Sequence, residues 1–323
     1  MEYVKLGKSD LQVSHVAFGL ALRGQSSVSA AERLIEHAAD SGITMFDCAN
    51  IYQLQSGTEY AHERSQEILG RVLGHKRDKV VITNKVGVEG GPGTGIGGCS
   101  RRAIMEQIDL SLKALNTDYV DLYFVHVFDP ETPLEETWGA LDEVVQSGKA
   151  RYIGCSNYQA WQVCKTLWLT DKMETTSPVC VQNSYNLLNR GLEREMFSLA
   201  EDQQLGVMTF SPLSVGLLSG QYKPGEPPPA GSLWSARTEE YNNVMQGDAA
   251  AAIETMRKIA RQRNKPMTQL AMNWVLANQQ VSVVVAGADT REQLDDTLGA
   301  LDWELSEEEM TQLNERFLDI MIW

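Results

Sequence analysis

Short apolar runs alternate with amphipathic stretches along almost the whole chain. The runs are HVAF (15–18), ITMF (43–46), VVIT (80–83), YVDLYFV (119–125), ARYIGC (150–155), VCVQ (179–182), VMTF (207–210) and VSVVVA (281–286). Near-continuous apolar runs of this length suit parallel strands buried on both faces. In 134–149, Leu134, Trp138, Leu141 and Val145 recur at three- and four-residue steps, which predicts a helix with one buried stripe and Trp138 in its core. Ser100 ahead of RRAIMEQIDLSLKAL predicts a capped helix start. Strands alternating with helices imply right-handed βαβ units, and eight repeats predict a closed (β/α)8 TIM barrel.

Two segments depart from the alternation. Residues 1–18 carry YVKLG and LQVS around Lys8, Ser9 and Asp10, the pattern of a β-hairpin ahead of the first barrel strand. Residues 221–248 contain PGEPPPAG and lack periodicity, so they read as a long loop on the C-terminal face after the seventh strand. No linker divides the chain, which predicts one domain over 1–323.

Composition narrows the class of partner. A chain of 323 residues exceeds an average domain, but α/β barrels reach that length undivided. The net charge of −15 argues against nucleic acid or an anionic membrane as partner. The five cysteines are odd in number, scattered and without a CxxC pair. That opposes a disulfide framework or a thiolate zinc site and reads as reduced thiols. The start MEYVKLGKSD lacks an apolar signal region, so a cytoplasmic location is expected. Nor do His15, His37, His62, His75 and His126 show metal-ligand spacing.

Chemistry emerges where the strands finish. Functional groups of a (β/α)8 barrel gather at its C-terminal face. The second run ends in Asp47, the third leads to Lys85 and the fourth to His126. The fifth leads to Ser156 and Asn157, the sixth to Gln182 and Asn183, and the seventh to Phe210 and Ser211. A free phenol has a pKa of about 10, and a neighbouring ammonium lowers it. Asp47 would hold Lys85 charged, Lys85 would lower the pKa of Tyr52, and His126 would bind a substrate oxygen. Such a set suits protonation of a carbonyl oxygen. Spacing alone leaves a second reading open: a salt bridge, a hydrogen-bonded histidine and a surface tyrosine.

These residues carry a resemblance to the aldo-keto reductases, and it extends along nearly the whole chain. LGKSDLQVSHVAFG resembles the family's hairpin and first strand, and ITMFDCANIY its aspartate-and-tyrosine segment. ALNTDYVDLYFVH ends in the expected histidine, and SGKARYIGCSNY matches the fifth-strand pattern. TFSPLSVGLLSGQY and GADTREQLDDTLGAL match two late cofactor segments. The resemblance implies NADP(H) or NAD(H) as cofactor and a small carbonyl or alcohol as substrate. By it, Tyr52 is the general acid/base, Lys85 its modulator, Asp47 the partner of Lys85, and His126 the carbonyl-orienting residue. Ser156, Asn157 and Gln182 would bind the nicotinamide carboxamide, and Phe210 would stack on its ring. Ser211, Leu213, Gly216 and Leu217 would line the pyrophosphate loop. Gly287, Gln293 and Asp296 would serve the adenosine end.

The departures from the family pattern bear on the cofactor. Gln221 stands where the loop usually has lysine, and Asp289 where many relatives have arginine or serine facing the 2′-phosphate. A carboxylate repels that phosphate and can accept a bond from a free ribose hydroxyl, so NAD(H) is expected to serve at least comparably. Arg291 is placed to compensate. YQLQSGTEYAHERSQEILG exceeds the family's loop after the tyrosine, and either adds substrate-facing residues such as Gln53 or Tyr60 or lengthens a surface turn. Phe128, Trp234 and residues 225–248 are candidate pocket walls, though Trp234 suits surface packing equally.

Two other functions compete. Lys85 at a strand end suits a Schiff-base aldolase, which needs a depressed lysine pKa. A non-catalytic regulatory subunit could also retain the nucleotide. A Gly93-to-Gly98 stretch fits GxGxxG, but residues including Pro92 separate it from the end of its strand, so it reads as a flexible loop.

Overall fold

The computed structural model describes residues 1–22, 25, 27–56, 59–88, 97–230 and 232–318. Its strands, in chain order, begin with β1 (Tyr3–Lys5), β2 (Gln12–Ser14), β3 (Val16–Gly19), β4 (Met45–Asp47), β5 (Gln53–Ser56) and β6 (Glu59–Arg64). They continue with β7 (Val81–Val86), β8 (Val120–Val125), β9 (Ala150–Ser156), β10 (Cys180–Ser184), β11 (Gly206–Phe210) and β12 (Val283–Ala286). The eight apolar runs supply β3, β4 and β7 through β12, which form one closed parallel barrel in which β12 returns to β3. This is the expected (β/α)8 barrel. β1 and β2 pair antiparallel with Tyr3 opposite Ser14, as the opening segment predicts.

The strand period of two sets the barrel interior. Met45 and Asp47, then Val81, Thr83 and Lys85, alternate along their strands, and Asp47 lies in register with Thr83. The apolar members pack inside with Ala17, Leu122, Phe124, Met208 and Val283, and with Leu6, Leu11 and Val13 of the hairpin segment. The inward ladder therefore runs from aliphatic at the hairpin end to polar at the strand C-termini. Gly154 belongs to this packing: a Cβ there would lie 2.6 Å from the Phe124 ring and 2.7 Å from the Cys180 carbonyl.

The helices are α1 (Val28–Asp40), α2 (Ser65–Leu73), α3 (Arg101–Leu115), α4 (Leu134–Gln146), α5 (Ala160–Lys172) and α6 (Met196–Asp202). Beyond them come α7 (Thr238–Val244), α8 (Gly247–Arg263), α9 (Met267–Leu276), α10 (Arg291–Leu298) and α11 (Glu307–Arg316). Ser100 caps α3, its hydroxyl accepting from the Ala103 amide at 3.3 Å. Trp138 is buried in the outer layer of the core, as its stripe predicts.

Two expectations need revision, and one open alternative gains a form. Residues 221–248 are not an irregular loop throughout, because they contain a 3-10 turn at Leu233–Ala236, all of α7 and the start of α8. Trp234 does not lie on the surface: it is 1% exposed, and its indole N–H donates to the Val215 carbonyl at 3.0 Å. The added segment after Tyr52 forms the antiparallel hairpin β5–β6. Most of the glycine-rich stretch from Gly93 lies outside the described residues. Among them, no helix is long and apolar enough to cross a membrane.

Candidate active site

Three strands bring the predicted tetrad together at the C-terminal mouth. Asp47 ends β4, Lys85 lies near the end of β7, and His126 directly follows β8. Lys85 is fully buried and donates to Asp47 Oδ2 at 2.6 Å and to the Cys48 carbonyl at 3.0 Å. Its ammonium is 3.4 Å from the Tyr52 hydroxyl. The Tyr52 and His126 rings meet edge to face, with centroids 5.9 Å apart. Tyr52 sits in the turn after β4, where its amide donates to the Ala49 carbonyl and its own carbonyl accepts from Ser65.

Asp47 is held by more than Lys85. Its Oδ1 accepts from the Thr83 hydroxyl at 2.6 Å and from the Gln182 side-chain amide at 2.8 Å. Neither bond was expected. Thr83 was legible as a candidate, since it lies two residues before Lys85 and so on the same strand face. The Gln182 bond spans the barrel, and no local pattern encodes it.

The electrostatics follow from burial and these partners. Burial works to lower the Lys85 pKa, but Asp47 and then Tyr52 outweigh it and raise it above its ordinary value. Lys85 is thus held charged, opposite to the depressed lysine pKa that a Schiff-base aldolase needs. Burial raises the phenol of Tyr52, Lys85 pulls it down, and burial prevails. The expected net lowering is therefore corrected: Lys85 limits the rise instead. Burial, with the Lys85 charge beside it, lowers His126 to about 4, so its ring is neutral near pH 7. His126 Nδ1 is buried without a hydrogen-bond partner among the described residues.

The residues expected at the cofactor line the same end. Ser156 is buried, and its hydroxyl accepts from the Asn157 side-chain amide at 3.1 Å. Asn157 adopts φ 57° and also donates to the His126 carbonyl at 2.9 Å, tying β9 to β8. Phe210 ends β11, half-buried. After it, Ser211 (φ 56°), Ser214 (φ 48°), Val215 (φ 54°) and Gly216 (φ 88°) are left-handed. For Val215 that conformation is costly, and such strain gathers at functional loops. Leu213 is half-buried and Leu217 buried beneath this loop. Gly287 follows β12, where an added Cβ would meet only the Gly19 carbonyl, at 3.8 Å. Gln293 accepts from the Asp289 amide at 2.7 Å, and partial loss of hydration raises the Asp289 carboxyl. Asp296 accepts from Thr268 and Gln269, so its carboxylate joins α10 to α9. Phe128 turns toward Tyr158 and Trp161, with ring centroids 5.3 and 5.9 Å away.

The sequence profile of the aldo/keto reductase family matches residues 15–316. This chain belongs to the aldo/keto reductase family. As a member of it, the protein is an oxidoreductase, and family members use NAD(P)(H). This chain is similar to the L-glyceraldehyde 3-phosphate reductase of Escherichia coli K12, 32% identical over 99% of this chain and 93% of that protein. A Bacillus subtilis protein named uncharacterized oxidoreductase YrpG is 33% identical over 98% of this chain and 96% of its own length. An Arabidopsis thaliana protein named probable voltage-gated potassium channel subunit beta is 33% identical over 94% of this chain and 92% of that protein.

Proposed function

We propose that this family member moves a hydride between NAD(P)(H) and a small carbonyl or alcohol, with Tyr52 as general acid/base. The contact that carries the reading is the buried chain from Asp47 through Lys85 to the Tyr52 hydroxyl, 2.6 and then 3.4 Å.

The strand-end residues fit the cofactor. Left-handed backbone at Ser211, Ser214, Val215 and Gly216 would suit a loop whose main-chain N–H groups hold phosphates. The Ser214 hydroxyl beneath it is buried without a partner among the described residues. Ser156, Asn157 and Gln182 would hold the carboxamide, with Phe210 against the ring. Gln182 already donates to Asp47, so its carbonyl oxygen is the atom left for an amide N–H. When bound, the cofactor supplies or accepts the hydride. Tyr52 hands its proton to the carbonyl oxygen, and the Lys85 ammonium stabilises the charge left on the phenol. Because burial keeps that phenol protonated at neutral pH, reduction can start from it directly. Neutral His126 orients the substrate oxygen by a hydrogen bond. General acid catalysis of this kind is worth roughly 10²–10⁴-fold.

Asp289 supports use of NAD(H) at a rate comparable with NADP(H). The free thiols fit the cytoplasm, and the barrel fits one domain over the whole chain. A panel of aldehydes, ketones, sugars and aromatic alcohols, followed by nicotinamide absorbance with both cofactors, tests the reading. Tyr52→Phe should lose about 100-fold or more on every substrate turned over. Retention of most activity would remove Tyr52 as the proton donor.

A second reading rests on the relatives named as channel subunits. In it, this chain is a nucleotide-holding regulatory subunit. Stopped-flow mixing of bound NADPH with an aldehyde separates the two: rapid oxidation favours the enzyme, and none favours the subunit.

A further inference from the structure

Behind the catalytic strand lies a buried polar seam that the proposed chemistry does not use. Asn50, two residues before Tyr52, donates its side-chain amide to Gln107 of α3 at 3.0 Å. Both residues are buried, and the Asn50 main-chain amide reaches the Lys85 carbonyl at 3.4 Å. One turn along α3, Ser111 accepts from Gln66 of α2 at 2.9 Å. Gln66 also donates to Asn84, the neighbour of Lys85, at 3.1 Å. Buried side-chain amides are costly unless bonded, and each of these bonds through only one of its two polar atoms. Asn50 Oδ1, Gln107 Nε2, Gln66 Oε1 and Asn84 Nδ2 have no partner among the described residues, so the few pairings made fix where α2, α3 and β7 sit.

The seam bears on one weak link in the site. Tyr52 is carried by a turn between β4 and β5, not by a strand. Its hydroxyl lies 3.4 Å from Lys85, the outer edge of hydrogen-bond range. Small outward movement of the turn breaks that contact, and a displacement of about 1 Å at a catalytic group can cost roughly 100-fold. Within the turn, Asn50 is the residue whose side chain is bonded to the helical layer.

We propose that Asn50 and Gln107 are positioning residues, a buried amide pair that sets the distance between the Tyr52 hydroxyl and the Lys85 ammonium. The inference rests on Tyr52 being the acid/base. Both residues are buried, with the Asn50 side chain bonded to Gln107. Their effect passes through the turn.

Gln107→Met removes the acceptor at similar volume, and Asn50→Ala removes the donor at the cost of a smaller side chain. The second variant keeps the question open to test should the first fold poorly. Each should lower kcat about tenfold or more, while KM for the carbonyl and Kd for the cofactor stay within about twofold. In alcohol oxidation, the pH at which the rate levels should rise, because Lys85 then acts on the phenol from further away. The double variant should be no slower than the slower single, since one tie is lost in either case. Unchanged kcat in both folded single variants, or a loss confined to KM, overturns the proposal. A wild-type protein that Tyr52→Phe leaves active overturns the acid/base reading beneath it. Full dependence on Tyr52 with indifference to Gln107 and Asn50 overturns this inference alone.

Discussion

Gln182 reaches across the barrel to donate its side-chain amide to Asp47 at 2.8 Å. The bond joins β10, whose neighbours are expected to grip the nicotinamide, to the carboxylate that holds Lys85. Thr83 serves the same oxygen from the adjacent strand at 2.6 Å. The two donors should separate experimentally. Thr83→Val keeps shape and removes one bond to a charged group, worth about 1.5–3 kcal/mol. It should slow kcat about tenfold and leave cofactor Kd within about twofold. Gln182→Met should weaken cofactor binding as well as turnover. Equal effects of both on Kd, measured by nicotinamide fluorescence, would break the distinction.

Removing Lys85 strands a buried carboxylate. Lys85→Met should cost about 3–5 kcal/mol in urea unfolding and abolish turnover. Combining it with Asp47→Leu removes both charges and should recover much of that stability with no recovery of activity. A double variant less stable than the single would show that the pair is held for folding.

The acid side of the stability profile should carry a His126 signature. Its pKa falls from 6.5 in the open chain to about 4 in the folded protein, mainly through burial. Between those values the unfolded chain binds more protons, so stability is full above the upper one and declines as pH drops toward the lower. The loss is on the order of 3 kcal/mol at most. His126→Asn should flatten melting temperature across that window, and an unchanged slope would place the acid sensitivity elsewhere.

Cofactor choice should turn on Asp289. Wild-type protein should favour NADPH over NADH by far less than a hundredfold, and Asp289→Ser should shift the kcat/KM ratio toward NADPH by about tenfold. An unmoved ratio would leave Arg291 or the Gln221 position as the determinant.

Much of this architecture was legible in the linear pattern. The eight runs became the eight barrel strands because a strand covered on both faces must be apolar throughout. Three of the four clustered residues were legible for the same reason, since Asp47, Lys85 and His126 interrupt such runs where a barrel opens. Tyr52 lies in a turn and was picked out by the family resemblance. Other features were hidden. The β5–β6 hairpin pairs through its main chain and shows little apolar alternation to announce it. Trp234 is buried with its indole bonded to Val215, a contact 19 residues away that periodicity cannot reveal. Gln182 bonds Asp47 across 135 residues, so only closure of the barrel brings them together. The sign of the Tyr52 shift was missed because proximity of charge is readable from residue types, whereas depth of burial is not.

The graded barrel interior also divides risk. Leu6, Leu11 and Val13 complete the aliphatic floor, so trimming them should lower folding stability while leaving substrate choice alone. The loops at the opposite rim carry little of that filling. A lineage, or an engineer, can exchange them for new substrates and disturb the foundation hardly at all.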